Sequence, residues 1–302
     1  MSRPVASFPH LGNYAVVIQD LAQLIDCDVM LPPPITRRTI ELGTNHSPEF
    51  VCVPFKYNLG NFIEALDAGA DVLIQAGGGC RYSYYGEVQE TILRDMGYDF
   101  GFVQLSPSLE LRKVASFVRR YNPRVKRADV SRVLRLTLDK VRALDEIEDV
   151  VRKRLGFERV EGSFDRLLSA FLVDLQASET SDDVARVLGR FRTAFDEVPI
   201  EKPDDCLRVG VVGEFYVVLE PFSNMNMERY LARRGVEVHR FCTVSSTIDH
   251  AMGGKTNLRH MLGRTQPYIR HHVGAEGTAS VFKTLELMEQ GFDGVVHLKP
   301  FG

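Results

Sequence analysis

Two cysteines occupy positions that suit redox or metal chemistry. Cys52 and Cys80 each stand directly before a segment with the apolar spacing of a helix. The first N–H groups of a helix are unpaired and carry partial positive charge, which lowers the pKa of a neighbouring thiol. Thiolates bind soft metals and iron–sulfur clusters. Because two cysteines are fewer than four and no C-x-x-C motif is present, spacing alone makes a metal site possible and no more.

The segment between these cysteines places them at one edge of a sheet. One predicted helix and one apolar run, Val72–Ala76, lie between Cys52 and Cys80, and the run is typical of a buried parallel strand. In open α/β sheets, ligands bind beyond the carboxyl ends of the strands. The sequence therefore predicts that both thiols face one crevice at this edge.

Residues adjacent to the cysteines could assist a bound cofactor. A run of three glycines precedes Cys80, and we predict that Gly78 and Gly79 let the backbone approach a bulky inorganic ligand. Lys56 and Arg81 are close in sequence to a cysteine, where their charge would offset that of a cluster. The alternative for both basic side chains is a surface ion pair.

Other catalytic motifs have little support. The G-G-K-T run at 253–256 resembles the end of a phosphate-binding loop, but Asp249 stands where that motif needs glycine. Neither a G-x-S-x-G elbow nor an H-E-x-x-H helix is present. Glu49 and Glu214 lie at predicted strand–helix junctions, where a carboxylate is more often a helix cap than a catalyst.

The positions of the remaining cysteines suggest a packing role rather than a chemical one. Cys27 enters a predicted strand and Cys242 leaves one, as expected of small buried hydrophobes, while Cys206 is uninformative. The total of five is odd, which favours thiols or metal ligands over a disulfide framework.

Strands and helices alternate at both ends of the chain. The predicted strands are 5–8, 27–31, 72–76, 98–105, 207–212, 236–241 and 294–298. The predicted helices around them are 14–25, 36–42, 55–66, 84–96, 225–234 and 278–290. This alternation predicts an α/β protein with two parallel, doubly wound domains of flavodoxin or Rossmann type, at 1–106 and 204–302.

A helical insert, 107–203, separates the two predicted domains. Its predicted helices are 109–121, 125–155, 164–177 and 182–198. The first part is basic and contains Arg112, Lys113, Arg119, Arg120, Arg124, Lys126, Arg127, Arg132 and Arg135. These residues form either a solvated helical face or a surface for an anionic ligand or partner, such as the phosphates of coenzyme A.

The composition restricts the class of protein. The 302 residues are 44% apolar and 25% charged, with a net charge of −3, which excludes a mainly disordered chain and gives no general case for nucleic acid. No apolar run approaches the roughly 20 residues of a membrane span, and no signal peptide is apparent. We therefore predict a cytoplasmic protein without nucleic acid or membrane partners.

Several longer motifs resemble one known group of proteins. The motifs are F-P-H-L-G-N-Y (8–14), P-P-P-I-T-R-R-T (32–39), S-P-E-F-V-C-V-P-F-K (47–56), L-G-N-F-I-E-A-L (59–66), G-G-G-C-R-Y-S-Y-Y (77–85), G-E-F-Y-V-V-L-E-P-F (213–222) and D-G-V-V-H-L-K-P-F-G (293–302). The chain resembles proteins related to the 2-hydroxyacyl-CoA dehydratase and benzoyl-CoA reductase subunits, often found fused to or beside their ATP-dependent activase. The resemblance covers both α/β regions, about two thirds of the chain.

This resemblance implies a site and a cofactor. It implies two α/β lobes with an oxygen-sensitive 4Fe–4S cluster in the cleft between them, bound by three cysteines. Cys52 and Cys80 match two of these ligands by position. In relatives a third cysteine commonly follows P-F-G, at the position that would come directly after Gly302.

The resemblance also implies an activity. It implies low-potential electron transfer to a CoA thioester, as a lyase or reductase component working with an ATP-dependent activase, a sister subunit and acyl-CoA. Two alternatives stay open. In the first, the protein is a non-catalytic cluster-binding or electron-relay partner. In the second, it is a metal-free structural paralogue of the family.

Overall fold

The chain forms two compact units, each built around a small parallel sheet. The computed structural model describes residues 3–76, 84–105, 111–253, 255–274 and 276–300. Unit 1 extends to Thr137 and unit 2 begins at Leu138, so the boundary falls within a long helix. The division into 1–106, 107–203 and 204–302 remains a prediction.

Unit 1 contains a four-stranded sheet in the order β2-β1-β3-β4 with every pair parallel. Its strands are β1 (Val5–Ser7), β2 (Asp28–Val29), β3 (Val72–Ala76) and β4 (Gly101–Leu105). Its helices are α1 (Ala15–Ala22), α2 (Arg37–His46), α3 (Val53–Asp67), α4 (Tyr85–Asp95), α5 (Leu111–Val118) and the start of α6 (Arg127–Arg154).

The strands of unit 1 contribute to two apolar clusters because successive strand residues point to opposite faces. Leu73 packs with Phe55 of α3 and Leu93 of α4. Its neighbour Ile74 instead packs with Ala15 of α1. The β3 strand therefore holds α3 and α4 on the face that carries Leu73.

Glycine permits α2 and α3 to pack in direct backbone contact. A Cβ atom at Gly43 of α2 would lie 1.7 Å from the carbonyl oxygen of Lys56. A Cβ atom at Gly60 of α3 would lie 1.9 Å from the carbonyl oxygen of Thr39. No side chain fits at either position, so these glycines fix the distance between the helices and thereby the position of the start of α3.

Unit 2 contains a three-stranded parallel sheet in the order β6-β5-β7. Its strands are β5 (Arg208–Gly213), β6 (Glu237–Arg240) and β7 (Gly294–Leu298). Its helices, after the end of α6, are α7 (Ser163–Ala177), α8 (Ser181–Asp196), α9 (Phe215–Leu219), α10 (Met227–Ala232), α11 (Val244–Gly253), α12 (Lys255–Thr265) and α13 (Gly277–Glu289).

The predicted α/β class with parallel strands is confirmed. Both β3 and β7 have the bounds predicted from the sequence, and residues 111–199 contain no strand, apart from the isolated bridge of Glu158 with Ile200. No pattern predicted α11 or α12. The helix α11 begins with hydrogen bonds between Thr243 and Ser246, which cap its first turn. Across the described ranges, no helix is long and apolar enough to cross a bilayer.

Candidate metal site at the carboxyl edge of the first sheet

Cys52 begins α3, as the sequence predicted. It is the N-cap residue, with extended backbone angles of φ −70° and ψ 159°, and it is half-buried. Its side chain makes no capping hydrogen bond to the helix. The sulfur at this helix start is therefore directed to another partner.

That partner is a tyrosine at the start of α4. The Cys52 Sγ atom lies 2.7 Å from the Tyr85 hydroxyl oxygen. Tyr85 is only 8% exposed, and its ring packs edge-on against that of Phe55 at a centroid distance of 4.8 Å. The contact brings Cys52 to the first residue of the helix that follows the Cys80 segment. Tyr85 is the last residue of the motif G-G-G-C-R-Y-S-Y-Y, and the sequence predicted no role for it.

The structure describes two of the six predicted site residues. Cys80, Arg81, Gly78 and Gly79 lie outside the described residues. Lys56 lies in the first turn of α3 and is half-buried. Its predicted alternative, an ion pair, is not formed with any residue that the structure describes.

A buried asparagine, Asn61, connects α3 to two loops, one containing His10 and the other containing Pro33. The amide oxygen of Asn61 accepts a hydrogen bond of 2.8 Å from the backbone N–H of His10. Its amide nitrogen donates one of 2.7 Å to the carbonyl oxygen of Pro33. Asn61 is 1% exposed, so its amide fixes both loops against the helix that begins at Cys52. No sequence pattern had predicted a role for Asn61.

Uncharged polar side chains line the same edge. Gln75 and Gln104 are paired in register near the ends of β3 and β4, and Ser7 ends β1. Gln75 is completely buried, and neither polar atom of its side-chain amide forms a hydrogen bond with the residues that the structure describes. A Cβ atom at Gly86, in the first turn of α4, would lie 3.2 Å from Cγ of Gln75 and 3.2 Å from Oε1 of Gln104. In the sequence, both glutamines are polar residues within otherwise apolar strands, and that pattern could have indicated a polar edge.

The donor set at this edge fits one ligand position of a cluster. Cys52 offers a half-buried sulfur with a hydroxyl group beside it. Cys27, the other described cysteine of unit 1, lies at the opposite end of the sheet, before β2. Within the described ranges, no group of three or more His, Cys, Asp or Glu side chains is arranged to hold a metal ion.

The surroundings of two other cysteines, Cys27 and Cys242, raise their thiol pKa values and so disfavour the reactive thiolate form. Burial raises the pKa of the Cys242 thiol to about 12, so the thiol stays protonated near neutral pH. Burial also raises the pKa of Cys27, which is packed in the apolar cluster of α1. Cys27 therefore matches the prediction of a small buried hydrophobe, whereas Cys242 is half-buried beside an apolar cluster.

Glu214 is a helix cap. Its carboxylate accepts a hydrogen bond of 3.0 Å from the backbone N–H of Val217, in the first turn of α9. Burial raises the pKa of this carboxyl group above its ordinary value. The capping alternative predicted for Glu214 is thus confirmed.

Comparisons with known proteins add no further assignment. The chain matches no model of a known protein family. It also has no match among curated protein sequences. The resemblance to dehydratase subunits therefore stays a prediction that rests on the quoted motifs.

Proposed function

We propose that the protein binds a 4Fe–4S cluster through Cys52 and Cys80, as a subunit similar to those of 2-hydroxyacyl-CoA dehydratases with two doubly wound lobes. The observation that carries this proposal is the 2.7 Å contact between Cys52 Sγ and the Tyr85 hydroxyl. These residues are 33 positions apart and belong to the two motifs that contain the proposed ligands. Their contact supports a common site for both motifs.

The surrounding elements also support a site at this edge. Cys80 is four residues after the end of β3 and five residues before Tyr85. Both ends of its segment are thus held at the carboxyl edge of the first sheet. Open α/β sheets bind ligands at that edge.

Each residue of the proposed site has a specific task. A bound cluster supplies one-electron chemistry at low potential. A Cys52 thiolate can only accept hydrogen bonds, so the Tyr85 hydroxyl donates to its sulfur and stabilises added negative charge. Lys56 contributes positive charge one helical turn further along α3. The apolar cluster around Phe55 keeps water from the inner side of the site.

We extend this proposal to electron transfer toward a CoA thioester. The protein would act as a lyase or reductase component, with an ATP-dependent activase and a sister subunit as partners. In the alternative, it relays electrons or carries a cluster without catalysis. Turnover of a CoA ester with an added activase distinguishes these possibilities, because a relay protein alone produces no product.

Iron and sulfide content tests cluster binding. Protein purified without oxygen and reconstituted with iron and sulfide should contain both elements and absorb visible light. Cys52→Ser and Cys80→Ser should each lose the iron, because each removes a thiolate ligand. Cys27→Ser and Cys242→Ser are matched controls that should retain it, since both side chains pack against apolar clusters. Iron-free wild-type protein, or equal iron in Cys52→Ser and wild type, would refute the proposal and favour the metal-free paralogue.

A further inference from the structure

One short part of unit 1 carries a charge opposite to that of the rest of the chain. Residues 111–135 contain nine of the 37 Lys and Arg residues but only one of the 40 Asp and Glu residues. This segment therefore has a net charge of +8, and the remaining chain has a net charge of −11. Such separation is a strong electrostatic feature in a chain with a net charge of only −3.

The charges of this segment face solvent. Eight of its basic residues are exposed, and we call them the basic surface: Arg112, Arg119, Arg120, Arg124, Lys126, Arg127, Arg132 and Arg135. Most cationic side chains of unit 2 pair with carboxylates, as Arg229 does with Asp165. By contrast, no residue of the basic surface forms an ion pair with any part of the chain that the structure describes. Their charge is therefore available to a partner.

The underlying elements hold these side chains in place. Val130 and Val133 of α6 are buried against Leu24. Helix residues advance by about 100° each, so Arg127, Arg132 and Arg135 lie within an arc of about 140°. That arc excludes the buried valines. One side of α6 is thus anchored in the core, and the other presents three arginines over about 12 Å of helix.

The turn between α5 and α6 extends the basic surface. The side-chain amide of Asn122 donates a hydrogen bond of 3.2 Å to the carbonyl oxygen of Leu24, which anchors the turn. Tyr121 is 41% exposed, with its ring 5.3 Å from that of Phe117. Arg119, Arg120 and Arg124 surround Tyr121 in the sequence. An aromatic side chain among arginines is the composition that protein interfaces favour.

We propose that the basic surface docks an acidic protein. Charge complementarity requires an anionic partner. Seven of the eight residues are arginines, whose planar guanidinium group pairs with carboxylates through two parallel hydrogen bonds. The exposed side of a helix is convex, which suits a broad protein surface better than a small ligand. Such a contact is polar and salt-dependent, and it acts mainly on the rate of association.

The negative charge of the rest of unit 1 favours a protein partner over longer polyanions. A nucleic acid or an anionic membrane extends beyond the basic surface, where it meets the rest of unit 1, whose 6 Lys and Arg against 13 Asp and Glu give a net charge of −7. Like charges repel, and this repulsion opposes both partners. An acidic patch on a protein can match the basic surface in size and avoid the repulsion.

Binding to three probes tests this proposal. The probes are a short labelled polyglutamate peptide, a polythymidylate oligonucleotide of equal charge and vesicles containing phosphatidylserine. At low ionic strength the protein should bind polyglutamate most tightly, with affinity that falls as salt screens the charges. The triple variant Arg127→Gln, Arg132→Gln and Arg135→Gln should bind at least about tenfold more weakly, the expected sum of three modest charge pairs. Glutamine keeps the helix propensity, so α6 should persist.

A matched variant controls for net charge. The control removes three exposed arginines outside the basic surface, by Arg233→Gln, Arg259→Gln and Arg270→Gln. It should change the affinity for polyglutamate by less than about twofold, because salt screens distant charges. Three outcomes would overturn the proposal. The first is that the wild type fails to bind polyglutamate, and the second is that the two triple variants weaken binding equally. The third is that the oligonucleotide or the vesicles bind more tightly than the peptide.

Discussion

At the scale of single residues, Asn61 shows how one buried amide can organise the surroundings of a site. A buried polar group without a partner costs about 1–3 kcal/mol. Asn61 avoids this cost by donating to one loop and accepting from another, at 2.7 Å and 2.8 Å. Both loops contain quoted motifs, as does the helix that carries Asn61. The polar residues of these motifs thus have a structural task beside any chemical one.

Glu214 gives a prediction about pH at the same scale. Burial raises the pKa of its carboxyl group above the ordinary 4.5, so the fold disfavours the charged form. The stability that this group contributes is present below the unfolded pKa and is lost as pH rises through the folded pKa. Glu214→Gln keeps the oxygen that accepts from Val217 N–H and removes the titration. The variant should be more stable than wild type near neutral pH and equally stable below the unfolded pKa.

Urea unfolding at both pH values measures this difference. Asp165 provides an internal comparison, because the Arg229 guanidinium lowers the pKa of its carboxyl group. Asp165→Asn should therefore lose stability near neutral pH, the opposite sign. If Glu214→Gln were less stable than wild type near neutral pH, the fold would favour the charged form of the Glu214 carboxyl group, contrary to this prediction.

At the scale of elements, the contact between α2 and α3 determines where α3 begins. Gly60→Ala places a Cβ atom 1.9 Å from the carbonyl oxygen of Thr39, so the helices must separate. We expect a loss of about 3 kcal/mol or more in the free energy of unfolding, at the upper end of overpacking costs. Urea unfolding followed by circular dichroism measures it.

A glycine in another helix is the matched control. No atom lies within 4 Å of a Cβ atom at Gly189 in α8. Gly189→Ala should therefore stabilise the protein by about 0.5–1 kcal/mol, since alanine favours the helix more than glycine. Equal stability of Gly60→Ala and wild type would contradict the close packing of α2 and α3.

The elements differ in how far their sequences predict them. Continuous apolar runs between turn residues predicted β3 and β7 with their observed bounds. The start of α11 depends on capping hydrogen bonds of Thr243, which apolar periodicity does not detect. The position of Cys52 before a helix was predicted from local spacing. Its contact with Tyr85 was not, because the packing of α3 against α4 brings together residues 33 positions apart.

At the scale of the whole molecule, the described cysteines differ in their surroundings. Cys27 and Cys242 have raised pKa values because they are buried, which disfavours their reactive thiolate forms. Cys52 is half-buried at a sheet edge beside a hydroxyl group. Oxidation of thiols follows thiolate character and exposure, so oxygen should damage Cys27 and Cys242 least.

This distribution predicts a strong dependence of metal content on oxygen. At the carboxyl edge of the first sheet, the residues that the structure describes include one cysteine, Cys52, and the proposed site would add Cys80 as a second ligand. Two cysteine ligands leave the other iron atoms of a four-iron cluster without thiolates and open to oxygen. Protein purified in air should therefore contain little or no iron, whereas the same protein reconstituted without oxygen should contain iron and sulfide. Iron analysis of both preparations measures the difference, with Cys52→Ser as the baseline without a complete site. Stoichiometric iron in air-purified wild-type protein would contradict an open site, because such retention requires a full set of ligands shielded from oxygen.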